Sequence, residues 1–150
     1  MPQSLVKNYT HLIFSTKGRE HLILPGIEEQ LHRYLAGICQ ELECQSVQIG
    51  GYTDHVHILC TLSKKMALIK LVEELKSSSS KWIKTQNTIL KQFYWQSGYG
   101  AFSVSPSGIE QVQQYIVNQH EHHKTTSFQD EYRAFLNKYN VPFEERYVWD

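Results

Sequence analysis

Residues 54–60 read Asp54-His55-Val56-His57-Ile58-Leu59-Cys60. A short apolar run that follows turn residues reads as a strand, and residues two apart on a strand point to the same face. His55 and His57 then present two imidazoles side by side, while Val56 and Ile58 face the other way into a core. Two neutral imidazoles on one rigid strand are half of a metal site.

The neighbouring segments follow from this strand. Ser46-Val47-Gln48-Ile49 alternates polar and apolar, Gly50-Gly51 breaks it, and Tyr52-Thr53-Asp54 turns into the histidine strand, so the two strands form an antiparallel hairpin. Upstream, Tyr9 to Thr16 is a first strand that ends in the basic turn Lys17-Gly18-Arg19. After Pro25-Gly26, residues Ile27, Leu31, Tyr34, Leu35 and Ile38 form one face of a helix that ends near Glu43. Downstream of Ser63, residues Leu68, Leu71, Val72, Leu75, Trp82 and Ile83 keep the 3.6-residue period. Tyr99 to Val104 alternates as a fourth strand. Ser107 and Glu110 have capping-box spacing ahead of a helix through Val112, Tyr115, Ile116 and Gln119 towards His123. A last helix begins near Ser127, with Phe128, Tyr132, Phe135, Leu136 and Tyr139 on its face. Asn140 suits a left-handed cap and Pro142 stops continuation. The tail holds Tyr147 and Trp149 and is expected to fold back on the body. The order β-α-β-β-α-β-α-α predicts an α+β, ferredoxin-like antiparallel sheet with two added C-terminal helices, one carrying Tyr115, in a single domain over residues 1–150.

The chain has 150 residues, 41% of them apolar, enough for one core without staples. Lys+Arg and Asp+Glu balance at 15 each, which argues against a surface that wraps duplex DNA but leaves room for a local basic groove. Such a region exists: no acidic residue occurs from Lys76 to Ile109, a stretch that carries Lys76, Lys81, Lys84 and Lys91. A solvated helix face is the plain reading of these lysines; a phosphate-tracking face beside the small serines 77–80 is the functional one. The three cysteines have no C-x-x-C spacing and read as reduced, cytosolic thiols. No signal peptide or membrane-length apolar run is present, so a cytoplasmic protein is expected.

Tyr115 and Gln119 are four apart and share a helix face. A tyrosine with a cation or base nearby is a usable phosphoryl nucleophile, and its phosphate ester is a stored, reversible linkage. Two imidazoles and one amide oxygen hold a divalent ion without neutralising it, so its charge stays available to phosphate oxygens. His122 lies seven residues after Tyr115 on nearly the same face and rivals Gln119 as third ligand. The plain reading of His120, His122 and His123 is a surface cluster.

His55-Val56-His57 followed by Tyr115-Ile116-x-x-Gln119 resembles the single-tyrosine HUH transposases of the smallest bacterial insertion sequences (TnpA type), HUH denoting two histidines around a hydrophobe. The stretches His11 to Lys17, Trp95 to Ser103, His122-His123 and Tyr147-Val148-Trp149 match as well. The resemblance implies Tyr115 as nucleophile, His55, His57 and Gln119 as ligands, and Mg²⁺ or Mn²⁺ as the ion. It implies single-stranded DNA hairpins at element ends as substrate, cut and rejoined through a 5′-phosphotyrosine. It also implies a homodimer whose active sites are shared between subunits, acting at the nucleoid of a prokaryotic cell. Lys17, Arg19, Lys76, Lys81, Lys84 and Trp95 are the expected DNA contacts. The competing expectations are a domesticated protein that holds hairpin nucleic acid without cutting it, and a metal-dependent hydrolase of another phosphoester.

Overall fold

The computed structural model describes residues 2–150. Strands β1 (Asn8–Ser15), β2 (Ser46–Tyr52), β3 (His55–Leu62) and β4 (Gly100–Val104) form one sheet in the order β2-β3-β1-β4. Every neighbouring pair is antiparallel. Helix α1 (Pro25–Glu41) connects β1 to β2 and α2 (Leu68–Lys84) connects β3 to β4, so each crossover skips a strand, as the split β-α-β pattern requires. Three further helices follow: α3 (Ile109–Val117), α4 (Gln119–His122) and α5 (Phe128–Lys138).

Strand alternation sorts the side chains onto two faces. Leu12 and Phe14 of β1 join Val56, Ile58 and Cys60 of β3, and α1 and α2 cover them with Leu31, Leu35, Ile38, Leu71, Leu75 and Ile83. The opposite face carries Ile13 and Phe102 against Phe128, Tyr132 and Leu136 of α5, and Leu59 and Val104 against Ile116 of α3. The histidines of β3 belong to this second face, where His57 is opposite Ile13 and His55 is opposite Ser15. Because helices cover both faces, the histidines lie in an interior rather than on a surface.

Three local expectations are revised. The Gly50-Gly51 pair does not end β2, which runs through it to Tyr52. A Cβ at Gly50 would lie 2.7 Å from both the side chain and the carbonyl oxygen of Ile116, so this position lets α3 sit directly on the strand. The capping box at Ser107 does not form. Pro106 starts a short 3-10 turn over Pro106–Gly108, α3 begins one residue later, and the Ser107 hydroxyl meets that of Ser105 instead. The helix expected to run to His123 breaks at Asn118 (φ −90°, ψ 15°), which separates α4 from α3. The left-handed residue expected at the end of α5 is present, with Asn140 at φ 55°. In the tail, Val148 and Trp149 pack against the α5 cluster, while Tyr147 points to solvent. No described helix is long and apolar enough to cross a membrane.

Candidate active site and metal centre

β3 delivers both imidazoles into a closed interior, and neither His55 nor His57 has any exposed surface. Their Nδ1 atoms face away from the centre and are held in place. His55 Nδ1 is 2.6 Å from Asp54 Oδ1, and His57 Nδ1 is 2.8 Å from Nε2 of the buried His11 on β1. Their Nε2 atoms converge. His55 Nε2 is 2.8 Å from Gln119 Oε1, and His57 Nε2 is 2.8 Å from Glu131 Oε1. Gln119 is the first residue of α4 and is 1% exposed, so the break at Asn118 aims it inward while His120 turns out to pair with Glu28.

The sequence-predicted residues Tyr115, His55, His57 and Gln119 are thus brought together within one chain. Glu131 of α5 stands at their centre and was not singled out by sequence. It is 3% exposed and accepts hydrogen bonds from the Tyr115 hydroxyl and from Gln119 Nε2 (2.9 Å) on Oε2. The readable signal was its place in the α5 stripe, where a lone acid falls between Phe128, Tyr132 and Phe135 on an otherwise apolar face. His123 was expected at the surface, but its side chain is 2% exposed, with Nε2 2.9 Å from Gln119 Oε1. His122, the rival third ligand, is one-third exposed and lies 3.4 Å from the Tyr115 hydroxyl.

The electrostatics follow from this enclosure. Burial opposes the Glu131 charge, but His57, His123 and His55 outweigh it and hold the carboxyl well below its ordinary range. Burial, followed by the Glu131 charge and its hydrogen bond, pushes the Tyr115 phenol well above its ordinary value. Burial lowers His57 and, more strongly, His11.

The donor set fits a divalent cation. His55, His57, His123 and Glu131 each offer a ligand atom, all within 4.8 Å of one another. With Nδ1–H of His55 donated to Asp54, the Nε2 lone pair faces the carbonyl oxygen of Gln119, another acceptor. A cation resolves that confrontation, and outward N–H groups anchored on a carboxylate or a second imidazole are what metal-binding histidines use.

A cavity of about 430 Å³ opens onto this centre, lined by Tyr115, His11, His122, Glu131, Phe135 and Lys138 among others. A second, of about 340 Å³, reaches it from the side of Arg19, His21, Asp54 and His123. A larger one, about 660 Å³, lies beside Ser4–Lys7 and Lys64-Lys65 and contains none of the centre's residues.

The expected DNA contacts fare unevenly. Trp95 is a core residue, edge-on to Phe14 and Phe93 with its indole N–H on Ser79, and offers no ring face for a base. The Lys76 ammonium donates to the carbonyls of Gln96, Ser97 and Gly98, which occupies it within the fold. Lys81 and Lys84 lie on α2, the helix that covers the sheet face opposite the histidines. Lys17 is exposed, whereas the half-buried Arg19 bonds the Trp149 carbonyl and lies over its ring.

A split β-α-β sheet with a His-hydrophobe-His strand facing a tyrosine-bearing helix defines the single-tyrosine HUH class. Within that class the chain belongs to the IS200-like transposases, whose family model matches residues 4–119. It is 26% identical over 116 residues to the ISDra2 transposase TnpA of Deinococcus radiodurans, covering 74% of this chain and 83% of that protein. A crystal structure of a putative transposase from the same organism superposes with a TM-score of 0.64 at 27% identity, covering 79% of this chain and 98% of the other. A REP-associated tyrosine transposase bound to a REP hairpin shares the fold, with a TM-score of 0.61 at 13% identity over 82% of this chain and 73% of that one.

Proposed function

We propose that the protein cuts and rejoins single-stranded DNA through Tyr115, with His55, His57 and Gln119 holding Mg²⁺ or Mn²⁺. The observation that carries this reading is the meeting of the Tyr115 hydroxyl with the paired imidazoles and Gln119 in one buried cluster beside an open cavity.

The Tyr115 oxygen forms a bond to phosphorus, the bond from phosphorus to the leaving 3′ oxygen breaks, and the 5′ phosphate stays on the tyrosine. A second 3′ hydroxyl reverses the step, which conserves the phosphodiester energy. Tyr115 must lose its proton, and both burial and Glu131 oppose that. The divalent ion, when bound, supplies the positive charge that favours phenolate and draws in phosphate oxygens. His122, 3.4 Å from the hydroxyl on the cavity side, is placed to take this proton from the Tyr115–Glu131 hydrogen bond and to return it to the leaving 3′ oxygen. Lys138, on the rim of the same cavity, and Lys17 are placed to hold phosphates.

Hairpin ends are the proposed substrate. One structural neighbour is bound to a REP hairpin, which supports this choice. The neutral total charge also supports it, because it favours a local contact over a long duplex. Tyr115, His55, His57 and Gln119 lie together within one chain, which supports a site that acts in cis, whether or not two chains associate. The working location is the cytoplasm, where element DNA is found.

The test uses labelled single strands of the element's own ends with Mg²⁺ and follows a denaturant-resistant protein–DNA adduct. Wild type should form it and Tyr115→Phe should not. Cleavage by the phenylalanine variant would sink the nucleophile assignment. Binding by both without cleavage would favour a protein that only holds hairpins.

A further inference from the structure

We propose that Glu131 is a metal ligand, the carboxylate that makes this centre selective for a hard divalent ion, and that its second oxygen positions Tyr115. The inference rests on the metal centre proposed above and adds a residue from α5 to it.

The chemistry of the ligand set calls for such a group. Two imidazoles and an amide oxygen carry no negative charge, and imidazole suits zinc, nickel, copper or iron. Mg²⁺ and Mn²⁺ prefer oxygen, and Mg²⁺ is ordinarily bound through at least one carboxylate. Glu131 is the only carboxylate whose oxygen meets both Nε2 atoms, 2.8 Å from His57 and 3.4 Å from His55, among the described residues. Asp54 instead meets the outward Nδ1 of His55.

The geometry agrees. Ligand atoms about 2.1 Å from an octahedral ion lie about 3.0 Å apart along each edge. The pairs His55 Nε2–Gln119 Oε1 at 2.8 Å, His57 Nε2–Glu131 Oε1 at 2.8 Å and His55 Nε2–Glu131 Oε1 at 3.4 Å bracket that value. Oε1 is therefore the ligand atom. Oε2 accepts from the Tyr115 hydroxyl and from Gln119 Nε2 and lies 3.3 Å from Nε2 of both His123 and His122. One side chain thus couples the ion to the nucleophile and to the amide ligand. Ser127 caps α5, which contributes Phe128, Tyr132 and Leu136 to the core, so the carboxylate stands on a rigid element.

The experiment measures metal binding directly, on the full chain without DNA. Free Mn²⁺ is followed by its electron paramagnetic resonance signal, and Ni²⁺ binding by calorimetry, for wild type and Glu131→Gln. The amide keeps the size of the side chain and one acceptor oxygen, but it removes the charge and turns the other oxygen into a donor. Expected is one Mn²⁺ per wild-type chain, an affinity about 10- to 100-fold weaker in the variant, and a much smaller loss for Ni²⁺. Equal Mn²⁺ affinity in the two proteins overturns the role of Glu131 and leaves the His55, His57 and Gln119 centre standing. A parallel loss of both metals also overturns it, since selectivity is the claim. Absence of Mn²⁺ binding by wild type overturns this inference together with the metal centre. Failure of adduct formation alone, with Mn²⁺ bound as expected, removes the nucleophile assignment and spares Glu131. Should Glu131→Gln fail to fold by circular dichroism, Glu131→Asp takes its place. That variant withdraws the carboxylate by one methylene, so it should weaken Mn²⁺ several-fold, and unchanged affinity again overturns the role.

Discussion

His57 shows how much a single side chain carries here. Its ring spans from His11 to Glu131, and both partners are buried. In His57→Ala, His11 Nε2 loses its partner and the Glu131 carboxylate loses one of its stabilising imidazoles. Glu131 keeps its donors Tyr115 and Gln119, so each buried group that loses a partner costs about 1–3 kcal/mol, and a clear fall in the thermal midpoint of the metal-free protein is expected, read by circular dichroism. His120→Ala, which breaks a partly exposed pair with Glu28 and an edge contact with Tyr52, should shift stability by about 1 kcal/mol or less. The contrast bears on what the sequence discloses at this scale. His55 and His57 were legible because strand alternation puts them on one face, whereas Tyr115 and Gln119 were paired by the spacing of a single helix that in fact divides at Asn118 into α3 and α4. Glu131 was hidden in a stripe that reads as packing. His123 was hidden because three histidines within four residues look alike until the backbone break at Asn118 decides which one turns inward.

At the level of elements, the site depends on how closely α3 approaches β2. Gly50 makes that contact possible, since a Cβ there would strike the Ile116 backbone as well as its side chain. Gly50→Ala is expected to destabilise by about 1–3 kcal/mol and to displace Tyr115 from the centre. Chemical unfolding measures the first effect, and the yield of covalent adduct at matched folded fraction measures the second. The sheet order was legible because each strand and helix announces itself by period. The close approach was not, because a glycine pair in a strand reads equally well as a break. On the other face, α1 has a weakness of its own. His32 Nε2 is buried without a hydrogen-bond partner, and burial lowers the His32 pKa, with Glu28 opposing and His120 reinforcing the shift. A base whose folded pKa is depressed stays neutral in the fold while the unfolded chain takes up a proton below about 6.5. Stability from this group is therefore full above that pH and is lost as pH falls, by at most about 1.4 kcal/mol per unit. Denaturant midpoints between pH 7.5 and 5.5 should decline less in His32→Leu than in wild type, and an equal decline would show that His32 stays exchangeable with solvent.

For the molecule as a whole, the question is whether one chain suffices. Family resemblance leads to the expectation of sites shared between two subunits. Within this chain, however, β3, α3, α4 and α5 already place Tyr115, Gln119 and Glu131 on His55 and His57. Exchange between subunits would have to lift α3 from β2 and remake the burial of Ile116 against Leu59 and Val104 across the interface. The lysines add to the argument. The cationic stretch read from sequence lies on α2, across the sheet from the centre, while Lys138 sits on the rim of the tyrosine cavity. Under the proposed function, DNA would reach Tyr115 along α5 of the same chain. Mixing two inactive variants separates the alternatives. Tyr115→Phe lacks the proposed nucleophile and His57→Gln lacks a proposed ligand. If sites were shared in a dimer, random pairing would make half of the dimers mixed, each with one intact site of two, restoring about a quarter of wild-type adduct. A site built in cis is incomplete in either variant and in every pairing of them, so co-refolded mixtures should form no adduct above the two variants alone.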